Sequence, residues 1–201
     1  MRIPLLYLSL MKILSGDIGE IRTQRLILRA LRLDDAEPLF ALFNNWNVVR
    51  SLSSPPWPFL LAHAEWFVRS AVEGAPGFDE ELLAITHDKA FMGAIGVRMR
   101  QADEMQRGPG PRLGYWLGEK FWGQGFMSEA VAAFVRFIFN TAASDTIYSG
   151  AFADNTASLR VQEKVGFARQ SISTLFSTPR GAAFAHVNTA LTRDRFEALT
   201  S

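Results

Sequence analysis

The chain has 201 residues, 48% of them hydrophobic and 20% charged, which suits one globular domain with a real core and excludes a disordered or fibrous chain. Twenty-one Lys and Arg against 20 Asp and Glu leave a formal net charge of +1; no segment carries the cationic run that a phosphate backbone demands, so a dedicated nucleic-acid binder is excluded. There is no cysteine, which removes disulfides, thiolate metal sites and thiol nucleophiles together and leaves oxygen and nitrogen groups, or chemistry carried by a cofactor.

The apolar opening from Ile3 to Met11 is too short for a bilayer span of about 20 apolar residues. Lys12-Ile13-Leu14-Ser15-Gly16-Asp17 after it offers no small-residue cleavage site. No membrane segment is expected, and the expected localisation is cytoplasmic. Residues 1–20 read as an extension, either an added strand or an over-long start with Met11 as the natural first residue.

Residues 25–31 read as a strand. A helix over 34–43 follows, with acidic residues in its first turn and Pro38 near its start. Residues 44–59 read as a Pro-braced loop carrying Trp46 and Trp57, aromatic rings that suit either a pocket wall or simple packing beneath a loop. Apolar Leu60, Leu61, Ala64, Phe67, Val68 and Ala71 recur at helical spacing over 60–72. Strands at 82–86 and 91–99 form a hairpin around His87-Asp88-Lys89, and a further strand at 112–118 follows the turn-rich Gly108-Pro109-Gly110-Pro111.

Over 123–140 the polar Glu129, Arg136 and Asn140 fall near one helical face while Phe126, Ala130, Ala133, Phe134, Phe137 and Ile138 cover the rest, which predicts a central, largely buried helix. A strand at 146–153, a helix over 155–165 stopped by Gly166, and strands at 168–176 and 184–192 complete the chain. The order β-α-α-β-β-β-α-β-α-β-β, without repeats or linkers, describes a mixed α+β domain.

The segment with most chemical content runs from Tyr115 to Ala130: a strand, a turn bearing Gly123 and Gly125, and the long helix. Two glycines there let consecutive backbone N–H groups converge where the helix dipole is positive, which suits a diphosphate. The P-loop pattern fails, because Gln124 and Gly125 stand where Lys and Ser or Thr are required. The three glycines of a dinucleotide fingerprint are also absent. On this ground alone, an anion site and a tight structural turn both remain open.

Lys120-Phe121-Trp122-Gly123-Gln124-Gly125, followed by Ser128-Glu129-Ala130, resembles the pyrophosphate-binding motif of the GCN5-related N-acetyltransferases (GNAT), with Lys120 in place of the usual Gln or Arg. Downstream, Asn155-Thr156-Ala157-Ser158 and the closing Gly166-Phe167 resemble the family's segment beside the pantetheine arm. Thr23-Gln24-Arg25-Leu26-Ile27-Leu28-Arg29 and Leu191-Thr192-Arg193-Asp194-Arg195-Phe196 narrow the likeness to the branch similar to the ribosomal-protein N-terminal acetyltransferases. The resemblance covers about residues 21–197.

It implies a twisted, mostly antiparallel sheet splayed at its fourth and fifth strands, 112–118 and 146–153, with helices on its flanks and acetyl-CoA held in the splay. Coenzyme contacts are then expected from backbone at Trp116 and Leu117, from the turn Trp122, Gly123, Gln124, Gly125, Phe126 and Met127, and from the Asn155 side chain.

With no thiol to carry an acetyl-enzyme, direct attack of an amine on acetyl-CoA is the simplest route. A backbone N–H from Trp116 or Leu117 is the natural oxyanion donor. Many relatives place Tyr where Gln162 stands, and an amide cannot protonate a thiolate. Ser158 is the hydroxyl candidate in that block, either as the acid or as a first-turn residue bonding local backbone. Asn155 reads equally well as a helix N-cap.

The carboxylate often found before this strand's Gly-Tyr pair in relatives is replaced by Arg112. Glu119, Tyr115 and His186 are substitutes that the sequence does not rank. His63, His87 and His186 are too scattered for a metal site, and no metal is expected.

The reading is an N-acetyltransferase acting on an amine, expected to be the α-amino group of a protein N-terminus or a small amino compound, lying against the Trp46–Trp57 loop with Arg112 facing it. A monomer or homodimer is expected, with no nucleic-acid or membrane partner. The alternatives are a catalytically silent coenzyme A-binding interaction module, suggested by Gln162 and Arg112, and a nucleotide-phosphate transferase, which lacks its P-loop lysine.

Overall fold

Strands whose side chains alternate between two apolar surfaces require cover on both faces, and helices supply it here. The computed structural model describes residues 20–100, 108–141 and 144–200; the extension over 1–20 lies almost wholly outside the described residues. In chain order the elements are β1 (Ile21–Arg22), β2 (Ile27–Ala30), α1 (Ala36–Phe43), α2 (Trp46–Val49), α3 (Leu61–Glu73), β3 (Glu80–His87), β4 (Ala90–Arg100), β5 (Gly110–Leu117), α4 (Phe126–Thr141), β6 (Thr146–Phe152), α5 (Thr156–Val165), β7 (Ala168–Ser177), β8 (Ala182–Thr192) and α6 (Arg193–Thr200), with short 3₁₀ turns at Leu33–Asp35 and Glu119–Phe121.

The strands form one eight-stranded sheet in the order β1-β2-β3-β4-β5-β6-β8-β7. Every pairing is antiparallel except β5 with β6, which are parallel and share the single register pair Arg112↔Tyr148. Elsewhere the ladders are long: β4 and β5 stay in register from Gly93↔Leu117 to Arg100↔Gly110. The sheet therefore stays closed up to β5 and parts where the direction of pairing changes.

Each face has its own core. On one, α4 buries Phe134, Val135 and Ile138 against Leu28, Ile85, Ile95, Leu113 and Ile147. On the other, α1, α2 and α3 bury Leu39, Phe43, Val49 and Val68 against Leu82, Ala84 and Phe91, with Trp116 packed alongside. Phe134 is 1% exposed, and burial of such a side chain contributes about 1.5–3 kcal/mol. The alternation is clean on β5, where Leu113, Tyr115 and Leu117 meet the α4 side and Trp116 the other.

Four expectations need correction. The segment 44–59 is not all loop: Asn45 caps α2, its side chain accepting from Asn47 N, and Val48 and Val49 are buried beneath it. The long helix begins at Phe126 rather than 123, because Gly123 (φ 75°) and Gly125 (φ 79°) are left-handed. The short β1 makes the splayed strands fifth and sixth in chain order. The closing segment is a helix, α6, which buries Phe196. Among the described residues no helix is long and apolar enough to cross a membrane.

Candidate active site

Where β5 and β6 part, the Ser149 hydroxyl donates to the Leu113 carbonyl at 3.0 Å. Beyond that bridge a cleft of about 650 Å³ opens between the strand ends. In an extended strand the N–H and C=O of one residue point the same way, and successive residues alternate. Gly118 N donates to Met92 O on β4 at 2.9 Å. Leu113 O and Leu117 O point the other way, accepting from Ser149 and, at 2.8 Å, from the Trp122 indole N–H.

The N–H groups of Tyr115 and Leu117 thus face the splay, and the polar backbone of Trp116 is committed to its register partner Ala94 on β4. This corrects the expectation of a backbone contact from Trp116. That residue lines the cleft, but its ring packs 4.7 Å from Phe43.

At one end lies the glycine turn. Trp122, Gly123, Gly125, Phe126 and Met127 line the cleft, and a Cβ added at Gly123 would meet nothing within 4 Å. Both glycines are required by their positive φ rather than by crowding, and the backbone N–H groups at the start of α4 stay approachable. Gln124 departs from expectation: its side chain folds back to donate to Lys120 O at 3.1 Å and is not part of the lining.

A brace that sequence reading missed holds the turn from behind. Arg25 donates through Nε to Glu129 Oε2 (2.7 Å), through its backbone N to Glu129 Oε1 (2.9 Å) and through Nη1 to Gln124 O (3.1 Å). Thr23 Oγ1 donates to Glu129 Oε1 at 2.6 Å. Burial alone would push the Glu129 carboxyl up, but the bonds from Thr23 and Arg25 prevail and hold it below the ordinary carboxylate range. Thr23, Arg25 and Glu129 all stand in the quoted motifs; nothing in spacing alone shows that they meet.

A polar chain lies on the α4 side of the splay. The Tyr115 hydroxyl is 3.0 Å from Ser158 Oγ; Gln162 Nε2 donates to that Oγ at 3.3 Å, and Thr189 Oγ1 donates to Gln162 Oε1 at 2.6 Å. Gln162, 1% exposed, is thus held in place and leaves the Ser158 proton available. Asn155 is the N-cap of α5, its Oδ1 accepting from Ser158 N at 3.1 Å, and it also lines the cleft. Burial pushes the Tyr115 phenol above its ordinary value, against the opposing hydrogen bonds of Ser158 and Gln162. A phenol so placed stays protonated at neutral pH and makes a poor base.

Across the cleft, Asn47, Arg50 and Ser53 from α2 and the turn after it face Asp154 and His186. Trp46 and Trp57 do not join them. Their rings pack on each other at 5.3 Å, each residue 40% exposed, and neither lines the cleft. Arg112 is also displaced from its expected role. It sits at the closed end of the splay, its guanidinium 4.4 Å from the Tyr148 ring centroid and its Nη2 donating to Gly108 O at 2.7 Å, outside the lining.

Glu119 accepts from the side chains of Asn45 (2.6 Å) and Asn47 (2.8 Å); it fastens α2 to the strand end and does not face the cleft. Asp154 is bound by Arg180 Nη1 at 2.7 Å and approached by Arg50 at 3.6 Å. His63 accepts from Leu60 N at α3, and His87 packs 5.4 Å from Phe126. Among the described residues no group of three or more potential metal-binding side chains converges.

The GNAT acetyltransferase domain model matches residues 25–168. The chain is 26% identical over 174 residues to the uncharacterized N-acetyltransferase YoaA of Bacillus subtilis (strain 168), covering 82% of this chain and 91% of the relative. Its fold matches the ribosomal L7/L12 α-N-protein acetyltransferase RimL in complex with coenzyme A, with a TM-score of 0.72 at 20% identity over 88% of this chain and 99% of that one. It also matches the microcin C7 self-immunity acetyltransferase MccE in complex with acetyl-CoA and AMP, with a TM-score of 0.71 at 17% identity over 85% and 93% of the two chains. Fold, splayed cleft and family model converge: this chain belongs to the GNAT family of acetyltransferases, enzymes whose co-substrate is acetyl-CoA.

Proposed function

We propose that the chain moves acetyl from acetyl-CoA to an α-amino group, either of a protein N-terminus or of a small amino compound, by direct attack. The carrying observation is that Asp154 is the sole carboxylate among the described residues lining the cleft, and it is already engaged by Arg180 and Arg50. A lysine amine of pKa near 10.4 is only about 0.04% neutral at pH 7, whereas an α-amine near 7.8 is roughly 10% neutral. A cleft with no unpaired carboxylate suits the second. The fold likeness to RimL, by its name an α-N-protein acetyltransferase, supports the same reading.

In this reading the diphosphate lies on the N–H groups of the turn from Trp122 to Met127, and the Asn155 amide contacts the pantetheine arm. The thioester carbonyl accepts from Leu117 N–H, and one such donor is commonly worth about 3 kcal/mol. The amine lone pair attacks the carbonyl carbon, the C–N bond forms, and the C–S bond breaks with its electron pair passing to sulfur. Ser158, polarised by Gln162 and Tyr115, protonates the thiolate and is reprotonated by the proton that nitrogen sheds as the amide forms. The test compares kcat/KM for a short peptide with a free N-terminus and for the same peptide blocked there but carrying an exposed lysine. The free N-terminus is expected to be preferred by at least about 10-fold, following the difference in neutral fraction; preference for the lysine peptide overturns the assignment.

A further inference from the structure

The Tyr115–Ser158 pair lies on the α4 side of the sheet. Strand alternation places a second polar group on the opposite face. On β8, His186 and Asn188 point to the face shared by Phe152 and Gly150, their register partners on β6. Val187 packs with Leu159 of α5 on the other face. A Cβ at Gly150 would stand 2.4 Å from His186 Cε1 and 3.1 Å from its Nε2. The imidazole therefore lies on bare glycine backbone at the edge of the splay. It lines the cleft while only 7% exposed.

We infer that His186 is the catalytic base that takes the proton from the acceptor amine, with Asn188 as its positioning residue. The inference rests on the acetyl-transfer reading above and deepens it. Asn188 Nδ2 donates to Ser171 Oγ at 3.0 Å and to Ser173 Oγ at 3.1 Å. These bonds turn its Oδ1 toward His186 Nδ1, 3.0 Å away. An amide oxygen accepts only, so Nδ1 carries the hydrogen and Nε2, the nitrogen over Gly150, is the basic one. Asn188 is fully buried, which fixes the ring's orientation.

Acid and base then stand on opposite faces of the sheet with the splay between them. One proton of the ammonium passes to Nε2 and the freed lone pair forms the C–N bond; as the C–S bond breaks, Ser158 gives its proton to the thiolate sulfur and recovers one from the second nitrogen proton, shed as the amide forms. The imidazolium returns its proton to solvent once the amide has left. Among the described residues, Phe152 lies between the ring and a cation: its ring is 5.8 Å from His186 and 4.3 Å from the Arg180 guanidinium. Arg180 is paired with Asp154, which Arg50 also approaches.

On this face β7 presents Ser171 and Ser173 to the pair, and β6 presents Gly150 and Phe152, with Tyr148 farther along under Arg112.

The test measures kcat against pH at saturating substrate, for the fastest acceptor in a panel holding a free-N-terminus peptide, a blocked lysine peptide and a small primary amine. In the wild type kcat is expected to rise with pH through one ionisation. His186→Gln is expected to lose that limb and about 100-fold in kcat, with coenzyme A affinity by calorimetry within about two-fold. His186→Ala is expected to regain part of its rate with added imidazole. Asn188→Ala is expected to keep the limb at a shifted pH with a smaller loss.

If the wild type turns over an amine and His186→Gln keeps the limb, or His186→Ala ignores imidazole, the base is elsewhere and the acetyl-transfer reading stands. If the wild type acetylates none of the panel, the proposed function fails, and the base assignment with it.

Discussion

The two ends of the cleft are built on different principles. At the glycine-turn end, Trp122, Gly123, Gly125, Phe126 and Met127 line the cleft, and two positive-φ glycines set its shape. At the opposite end the groups come from α2 and the turn after it, from Asp154 beyond β6, and from His186 on β8. A backbone site is local and tolerates change in all but its glycines; a site assembled from distant side chains depends on the packing of every element that carries them. The first kind leaves a motif, whereas the second leaves scattered polar residues, each with a structural explanation of its own.

The comparison breaks most sharply at Gly125. Gly125→Val puts a β-branched side chain at φ 79°, where a Cβ would also come within 3.5 Å of Arg25 Nη2. Coenzyme A binding by calorimetry is expected to fall below detection, with the circular dichroism spectrum unchanged. A folded variant that binds within about three-fold of wild type would mean that the diphosphate lies elsewhere.

A smaller effect belongs to Ser158, a side chain reached through α5 rather than through the turn. Ser158→Ala is expected to lower kcat about 10- to 100-fold while coenzyme A affinity is kept, because water substitutes in part for the lost hydroxyl. An unchanged kcat would leave Ser158 as a first-turn helix residue only.

The smallest effect tests the brace behind the turn. Glu129→Gln removes charge-assisted bonds to Arg25 and Thr23 and is expected to cost about 1–3 kcal/mol in urea unfolding at pH 7. Glu129 lies below its ordinary value in the fold. Its contribution is therefore complete above the unfolded pKa of about 4.3 and disappears as pH falls through the lower folded value. The wild-type advantage should close on acidification below about pH 4; an advantage unchanged there would mean that the carboxylate is not what holds Arg25.

Much of the fold was legible because it rests on local period. The strand at 112–118, the buried apolar face of the helix read over 123–140, and the Gly166 stop after α5 each followed from spacing. The departures occurred where a tertiary partner decided. The strand begins at Ile27, two positions beyond Arg25, where pairing with Arg22 sets its start, and Val48 and Val49 fold into α2 because the sheet face beneath them is apolar.

The site divides the same way. Gly123, Gly125, Phe126, Met127, Asn155 and Ser158 all line one cleft, as a local motif predicts. Trp46, Trp57 and Arg112 do not, because composition shows that a loop has aromatic rings or a strand has a cation, not which way they turn. Trp46 and Trp57 satisfy each other, and Arg112 is drawn to Tyr148 at the closed end of the strands.

By itself the sequence determined the classes of chemistry open to this protein, the order of its longer elements and the glycine turn, since composition, period and backbone freedom are properties of neighbours in the chain. Only the tertiary structure decided that Leu117 rather than Trp116 turns its N–H into the splay, and that Asp154 is occupied by Arg180. It also placed His186 and Asn188 across the sheet from Ser158. Strand register and sheet face, set by pairing between residues far apart in the chain, determine which groups meet.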